Sequence, residues 1–193
     1  IQENGAEKIA SSLIKISATL ECSILLQPAG IANGHDSIPS LKETNDAAIS
    51  LGLGKGKIAV QKNRDIWAQV AAISECKCFI GTSLHGRIVA TSFAKPRVGL
   101  LQKNKITNYA LEWEEGLQPT NVKIENLASA TKDAVNTDSD KLSKNSQLIR
   151  KQTRDSFLEL RNKLKINAAP EGIEQTRQKI EMNRTSSILK EIT

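Results

Sequence analysis

The chain has 193 residues, a formal net charge of +6 and aromatic residues at only 3% of its positions. This length allows one sizeable core, slightly beyond the usual domain size of roughly 100–150 residues, and aliphatic side chains must build that core. No apolar run approaches the roughly 20 residues that a membrane span needs, and no signal-peptide pattern is present, so the sequence predicts a cytoplasmic protein.

Apolar residues at Ile9, Leu13, Ile16 and Leu20 have helical spacing, and the chain starts at Ile1 without a methionine. A helix that is already under way at the first residue indicates a segment of a longer protein. We therefore expect an upstream half that contributes to any function of this chain.

Four short apolar runs alternate with helical segments through residue 101. The predicted strands are residues 22–27, 57–60, 76–80 and 96–101, and Pro39 suits the first turn of the helix after the first strand. Asn63 is a candidate cap for a helix whose inner face would be Ile66, Val70 and Ile73. This alternation predicts an α/β fold, a Rossmann-like parallel sheet with helices on both faces, over residues 1–137.

Gly52, Gly54 and Gly56 come before a predicted strand. A dinucleotide-binding fingerprint must follow a strand, so these glycines do not indicate a nicotinamide site. Cys76 and Cys78 have one residue between them rather than the two of common zinc and redox motifs. With Cys22 they are interpreted as small buried side chains in a reducing compartment, and no metal site is predicted.

Residues 81–87, Gly-Thr-Ser-Leu-His-Gly-Arg, join the third strand to the next helix. A polar turn between a strand and a helix start directs unpaired N–H groups and the positive end of the helix dipole at one place, where an anion can bind. Ser83 and His85 lie in this turn. Ligands of open α/β sheets bind at this end of the strands, so the turn is a candidate phosphate or carboxylate site.

The motif resembles the C-terminal half of the polysaccharide pyruvyl transferase family. The resemblance is carried by Ile-Gly-Thr at residues 80–82, Ser-Leu-His-Gly at 83–86, the apolar helix that follows, and Lys-Pro-Arg-Val-Gly-Leu at 95–100. It implies one half of the two-domain GT-B architecture. It also implies transfer of a pyruvyl unit from phosphoenolpyruvate to a sugar of a surface or secreted polysaccharide, leaving a ketal and phosphate.

The same resemblance associates Leu84, His85 and the Ser83 position, where the family often has arginine, with the phosphoenolpyruvate end of the site. The residue types themselves make His85 the candidate catalytic acid and Ser83 and Gly86 candidates for donor binding, and Arg87 is a candidate charge for the donor from one turn later, at a different position from the family arginine. His35 and Asp36, in the glycine-rich loop 28–36, are further candidates for substrate binding. Asp36 also suits a helix cap, and His35 an exposed loop residue. Phosphoenolpyruvate is expected as donor substrate, with no other cofactor.

Residues 138–193 are predicted to be a basic helical extension. Leu142, Ile149, Phe157, Leu160 and Leu164 form one narrow apolar face, and lysines and arginines cover the others. A terminal helix of this kind would pack on the missing N-terminal half. The alternatives are a solvated charged face, which is favoured, or an anionic partner; nucleic acid is not expected. Residues 173–193 suit a last helix.

Three functions remain open from the sequence. The first is the donor-side domain of a pyruvyl transferase, with a saccharide acceptor. The second is a nucleotide-sugar-dependent GT-B glycosyltransferase, in which the same turn would hold a diphosphate. The third is a non-catalytic basic binding module that uses the helix at residues 141–165.

Overall fold

The computed structural model describes residues 5–28, 38–63, 65–101 and 104–164. Over these ranges the chain is a mixed α/β protein, mostly helical, with short parallel strands. Its elements are α1 (Gly5–Leu20), β1 (Ile24–Leu26), α2 (Ile38–Ser50), β2 (Ile58–Val60), α3 (Ile66–Glu75), β3 (Phe79–Gly81), α4 (Leu84–Ser92), β4 (Arg97–Gly99), α5 (Lys105–Glu114), α6 (Leu127–Val135) and α7 (Ser139–Lys163).

The strands pair in parallel, β1 with β2 and β3 with β4. Leu25 lies opposite Ala59 in the first pair, and Ile80 lies opposite Val98 in the second. Within the described ranges these are two separate two-stranded sheets, not one continuous sheet. Each strand has only three residues, and Pro96 before β4 has no N–H to extend the ladder.

One hydrophobic core joins the two sheets. Ile58 of β2 and Val98 of β4 belong to the same buried cluster as the inner faces of three helices; the helical members are Ala10, Leu13, Ile16, Ala48, Leu127 and Ala134. Ser12 of α1 donates a hydrogen bond to the carbonyl of Ile124, ahead of α6, at 2.9 Å. The first and the sixth helix are therefore neighbours in the fold.

The helix α2 begins and ends as its sequence predicts. Pro39 is in its first turn, where a missing N–H costs no helical hydrogen bond. Gly52, two residues after the helix, has a φ of +104°, a backbone conformation that side chains with a Cβ rarely adopt. The glycine thus ends α2 and turns the chain toward β2.

The predicted inner face of α3 is wrong in part. Ile73 is buried, but Ile66 is 66% exposed, and small residues at Ala68, Ala71 and Ser74 form the rest of the buried face. The helix also begins later than a cap at Asn63 predicts, since Asp65 holds the capping position. The Asn63 side chain instead accepts a hydrogen bond from the Asp65 N–H at 2.9 Å.

Residues 121–124 contribute a single parallel bridge, between Leu100 and Val122. The chain enters this segment through left-handed conformations at Glu115 and Asn121. A short 3₁₀ turn, Ile124–Asn126, then leads into α6. Such tight turns on both sides leave no room for a longer strand.

The helix α7 starts at the predicted boundary and packs on the body only through its first part. Leu142 and Ser146 are buried, and Ser146 donates to the carbonyl of Ser92 at the end of α4 at 3.0 Å. Arg150 donates to the same carbonyl. Farther along the predicted apolar face, Phe157 is 67% exposed. Residues 173–193 lie outside the described ranges.

Candidate functional site

The turn between β3 and α4 has the geometry that the sequence predicts. Ser83 is the capping residue of α4, and its hydroxyl oxygen accepts a hydrogen bond from the Gly86 N–H at 3.2 Å. Its backbone carbonyl accepts the first helical hydrogen bond, from the Arg87 N–H at 3.0 Å. Because serine also carries an O–H donor, the capping hydroxyl can still donate to a ligand.

The start of α4 offers further donors. The N–H groups of Leu84 and His85 precede the first residue that has an acceptor inside the helix, so no carbonyl of α4 accepts a helical hydrogen bond from them. The positive end of the helix dipole lies at the same point. The turn can therefore hold an anion through two backbone donors and one hydroxyl.

The Phe79 ring packs against the backbone of the turn at Gly81 and Gly86. A Cβ on Gly86 would lie 2.5 Å from Cζ of the Phe79 ring, and a Cβ on Gly81 would lie 3.1 Å from the same atom. Both contacts are shorter than a side-chain carbon normally permits. Glycine at these two positions lets the ring pack directly against the backbone, and the ring holds the strand end and helix start together.

The predicted site residues separate into three groups. His85 is exposed, and Ser83, Leu84 and Gly86 are half-buried around the same turn. His35 and Asp36 lie outside the described residues, so their contact with the turn stays a prediction. Arg87 points away from the turn, because its side chain is only 1% exposed.

Arg87 is bound to the interior of the protein. Its Nε donates to Oε1 of Glu114 at 3.2 Å and its Nη2 to Oε2 of Glu114 at 2.6 Å. Its two terminal nitrogens also donate to the carbonyls of Gln118 and Pro119, at 3.1 and 3.3 Å. This arrangement does not present the guanidinium to a ligand at the turn. The sequence pattern, by contrast, predicts that Arg87 binds the donor there.

Glu114 is the centre of a buried polar network that the sequence analysis missed. Besides Arg87, it accepts hydrogen bonds from the Thr91 hydroxyl and from Nε of Arg97, both at 2.9 Å. Arg97 is fully buried. Its backbone N–H donates to the side chain of Gln118, and its Nη1 to the carbonyl of Lys95. Two cations thus share one carboxylate.

Burial has opposite effects on the two titrating groups beside this carboxylate. It lowers the pKa of Arg97 below its usual value, and the adjacent Glu114 carboxylate opposes that shift. It raises the pKa of Tyr109, against a hydrogen bond with Thr91. The sequence held one signal of this network: Arg97 is a charged residue inside an otherwise apolar strand, which requires a buried partner.

The three cysteines are free thiols and are half-buried. Cys76 is not on a strand as predicted but directly follows α3, because β3 begins only at Phe79. Burial raises the pKa of Cys76 to about 11 and that of Cys78 to about 12. Both thiols therefore remain protonated near neutral pH, where a thiol is a poor nucleophile and metal ligand.

No cluster of three or more histidine, cysteine or acidic side chains suited to a metal ion occurs in the described part of the chain. None of the helices in these same ranges combines the length and the apolar character of a membrane span.

A parallel strand that delivers a capped helix start at its carboxyl end defines an α/β protein in which this turn is the candidate functional site. Residues 16–104 match the family model of the polysaccharide pyruvyl transferases. The match runs from within α1 to just before α5 and includes the whole turn, which confirms the resemblance identified from the sequence. No curated protein and no solved structure matched the chain.

Proposed function

We propose that this chain is the donor-binding part of a polysaccharide pyruvyl transferase, which transfers a pyruvyl group from phosphoenolpyruvate to a sugar as a ketal. The observation that carries the proposal is the family match, which includes the Ser83 turn. That turn offers donors to an anion, as a phosphoenolpyruvate site requires. The acceptor would be a saccharide unit of a surface or secreted polysaccharide.

The donors at the turn suit one end of phosphoenolpyruvate. The N–H groups of Leu84 and His85 and the Ser83 hydroxyl all belong to the start of α4. A phosphate or carboxylate there would receive charge-assisted hydrogen bonds and the favourable field of the helix dipole. With Arg87 directed inward, we infer that backbone and hydroxyl donors carry this binding.

His85 is the group in this turn that can move a proton. In the proposed reaction the methylene carbon of phosphoenolpyruvate gains a proton, two sugar hydroxyls bond to the adjacent carbon, and the bond to the phosphate oxygen breaks. Of the two hydroxyl protons, one replaces the proton given to carbon and the other leaves with phosphate. His85 would deliver the first proton and be reprotonated from the sugar.

We propose the GT-B architecture for this enzyme. The alternation of β1–β4 with α1–α4 is in keeping with one Rossmann-like half of a GT-B enzyme. A second half would complete the cleft and supply the contacts to the sugar.

The free thiols of Cys22, Cys76 and Cys78 favour a reducing compartment, so we propose that the reaction takes place in the cytoplasm.

The test uses the full-length protein and the ring signals of His85 in an NMR titration. Phosphoenolpyruvate, inorganic phosphate, a nucleotide-diphosphate sugar and a short RNA are added in separate experiments. We expect phosphoenolpyruvate to shift the His85 signals at lower concentration than the other three. Phosphate release from phosphoenolpyruvate is then measured with a panel of hexopyranosides, and we expect His85→Ala to lower the rate about 100-fold or more.

A double variant, Arg154→Ala with Arg161→Ala, is the matched control, because both arginines are exposed on the distal part of α7. It should leave phosphate release unchanged. A response of His85 to the nucleotide sugar alone would favour a glycosyltransferase. RNA binding that the double variant abolishes, with no response at His85, would instead identify a basic binding module.

A further inference from the structure

The two faces of α4 have opposite environments. His85 and Ile88 are exposed, whereas Arg87, Ala90 and Thr91 are buried on the opposite side. Both faces belong to one rigid helix of nine residues. A rotation of α4 about its axis that moved Arg87 would therefore move His85 and the helix start by a comparable amount.

The buried face of α4 is held by directional contacts. Arg87 donates to both carboxylate oxygens of Glu114 and to the carbonyls of Gln118 and Pro119, all of which belong to α5 or the segment after it. Such a planar, forked set of hydrogen bonds has one good geometry. Without Arg87, α4 would keep one hydrogen bond to Glu114, from the Thr91 hydroxyl at 2.9 Å, and the apolar packing of Ala90. A single hydrogen bond and a methyl contact fix the rotation of the helix less closely than the forked set of Arg87.

Either arginine of the network can be replaced without leaving the Glu114 carboxylate unpaired. Glu114 contacts Arg87 on α4 at 2.6 Å and Arg97 on β4 at 2.9 Å. Loss of either arginine leaves a buried pair of one cation and one anion, whereas loss of Glu114 would leave two unpaired cations. The two arginines are therefore a matched pair for mutagenesis.

We propose that Arg87 is a positioning residue for the turn: by anchoring α4 to Glu114, it sets the orientation of His85 and of the donors at Leu84 and Ser83. It acts through the helix and does not touch the donor substrate. This inference rests on the proposed pyruvyl transfer. A displacement of about 1 Å at a reacting group can lower a rate about 100-fold, so a loosened α4 would reduce kcat.

The experiment compares Arg87→Met and Arg97→Met in the full-length protein. Both changes keep a buried side chain of similar length and leave Glu114 with one arginine. We expect Arg87→Met to lower kcat about 10-fold or more and to raise the KM for phosphoenolpyruvate by a smaller factor, because the donors of the turn move with His85. Arg97→Met should keep kcat within about three-fold, because α4 remains bound to Glu114.

Two results would overturn the proposal. A raised KM for phosphoenolpyruvate with an unchanged kcat in Arg87→Met would mean that Arg87 contacts the donor. Equal losses of kcat in both variants, in proportion to their losses of thermal stability, would mean that the network only stabilises the fold.

Amide hydrogen exchange of α4 in the same variants supplies a readout that does not depend on activity. We expect the amides of α4 to exchange faster in Arg87→Met than in Arg97→Met. A wild-type protein without pyruvyl transfer would refute the proposed function. If the amides of α4 exchanged equally fast in Arg87→Met and Arg97→Met, the anchoring of the helix by Arg87 would be refuted, whether or not the protein has the proposed activity.

Discussion

Cys76 and Cys78 show at the scale of single residues how position decides reactivity. Each thiol lies between the end of α3 and the start of β3, where half-burial disfavours the charged thiolate. Two cysteines with two residues between them often bind a metal or exchange a disulfide, and this pair has only one. Here their raised pKa values make both roles unfavourable, and the thiols act as small apolar groups.

The raised thiol pKa values predict a loss of stability at alkaline pH. The usual thiol pKa is 9.0, and the folded values are about 11 for Cys76 and about 12 for Cys78. As the pH rises above 9.0, the thiols of the unfolded protein therefore release their protons before those of the folded protein. The contribution of the thiols to the free energy of unfolding is constant below that pH and falls above it. Urea denaturation between pH about 8 and 10 measures this slope.

A Cys76→Ala, Cys78→Ala double variant is the control for the alkaline slope. Its stability at neutral pH will be lower, because buried atoms are removed, but the part of the slope due to the thiols should be absent. Tyr109, whose pKa is also raised, titrates from pH 10.0 upward, and the chosen range keeps its contribution small. Identical slopes in the two proteins would contradict the assigned thiol pKa values.

At the scale of elements, the junction of β3 with α4 depends on two glycines and one ring. Gly81 and Gly86 leave the space that the Phe79 side chain fills. Ser83 then caps the helix with its hydroxyl. Strand, turn and helix start are thereby one packed unit, and the donors of Leu84 and His85 are fixed relative to the strand end.

Gly86→Ala should destabilise the protein. The added methyl group would lie 2.5 Å from Cζ of Phe79, and such overpacking costs roughly 1–3 kcal/mol. The better helix propensity of alanine offsets about 1 kcal/mol of that cost. Urea denaturation should show a net loss for Gly86→Ala and recovery when Phe79→Leu is added.

Gly56→Ala is the control for this substitution, because a Cβ at Gly56 meets nothing within 4 Å. Its stability should match that of wild type. Equal stability of Gly86→Ala and wild type would contradict the close contact between the ring and the turn.

Patterns of neighbouring residues predicted the helices and strands. Features that depend on contacts between residues far apart in the sequence were not predicted. The order of apolar run, polar turn and apolar helix located the start of α4 beside Ser83, because a helix start depends on neighbours in sequence. The inward direction of Arg87 depends on Glu114, 27 residues farther along the chain. The apolar run at residues 76–80 misplaced the start of β3, since Cys76 suits a helix end as well as a strand.

At the scale of the whole molecule, α7 has two different halves. Its first part is joined to α4 and α5 through Ser146, Arg150 and Asn145, which donates to the carbonyl of Trp113. Its distal part carries exposed apolar side chains, among them Phe157 and Leu164. The anchored half therefore contributes to the stability of the body, and the distal half contributes little.

Substitutions along α7 test this division. Leu142 is buried at 3% exposure, so Leu142→Ala should lower the free energy of unfolding by about 2–5 kcal/mol. Phe157→Ala removes a larger side chain from an exposed position and should change stability by less than about 0.5 kcal/mol. Chemical denaturation of both variants measures the difference. A large loss for Phe157→Ala would show that the distal half is packed against the body.

The contact between Ser12 and Ile124 has a consequence for synthesis. The two residues are 112 positions apart, so α1 leaves the ribosome long before the segment that leads into α6 exists. At about 5–20 residues per second, the inner face of α1 waits on the order of 5–20 s for that partner. During this interval α2, which packs on α1 and is the next helix in the chain, can cover part of the nascent apolar face.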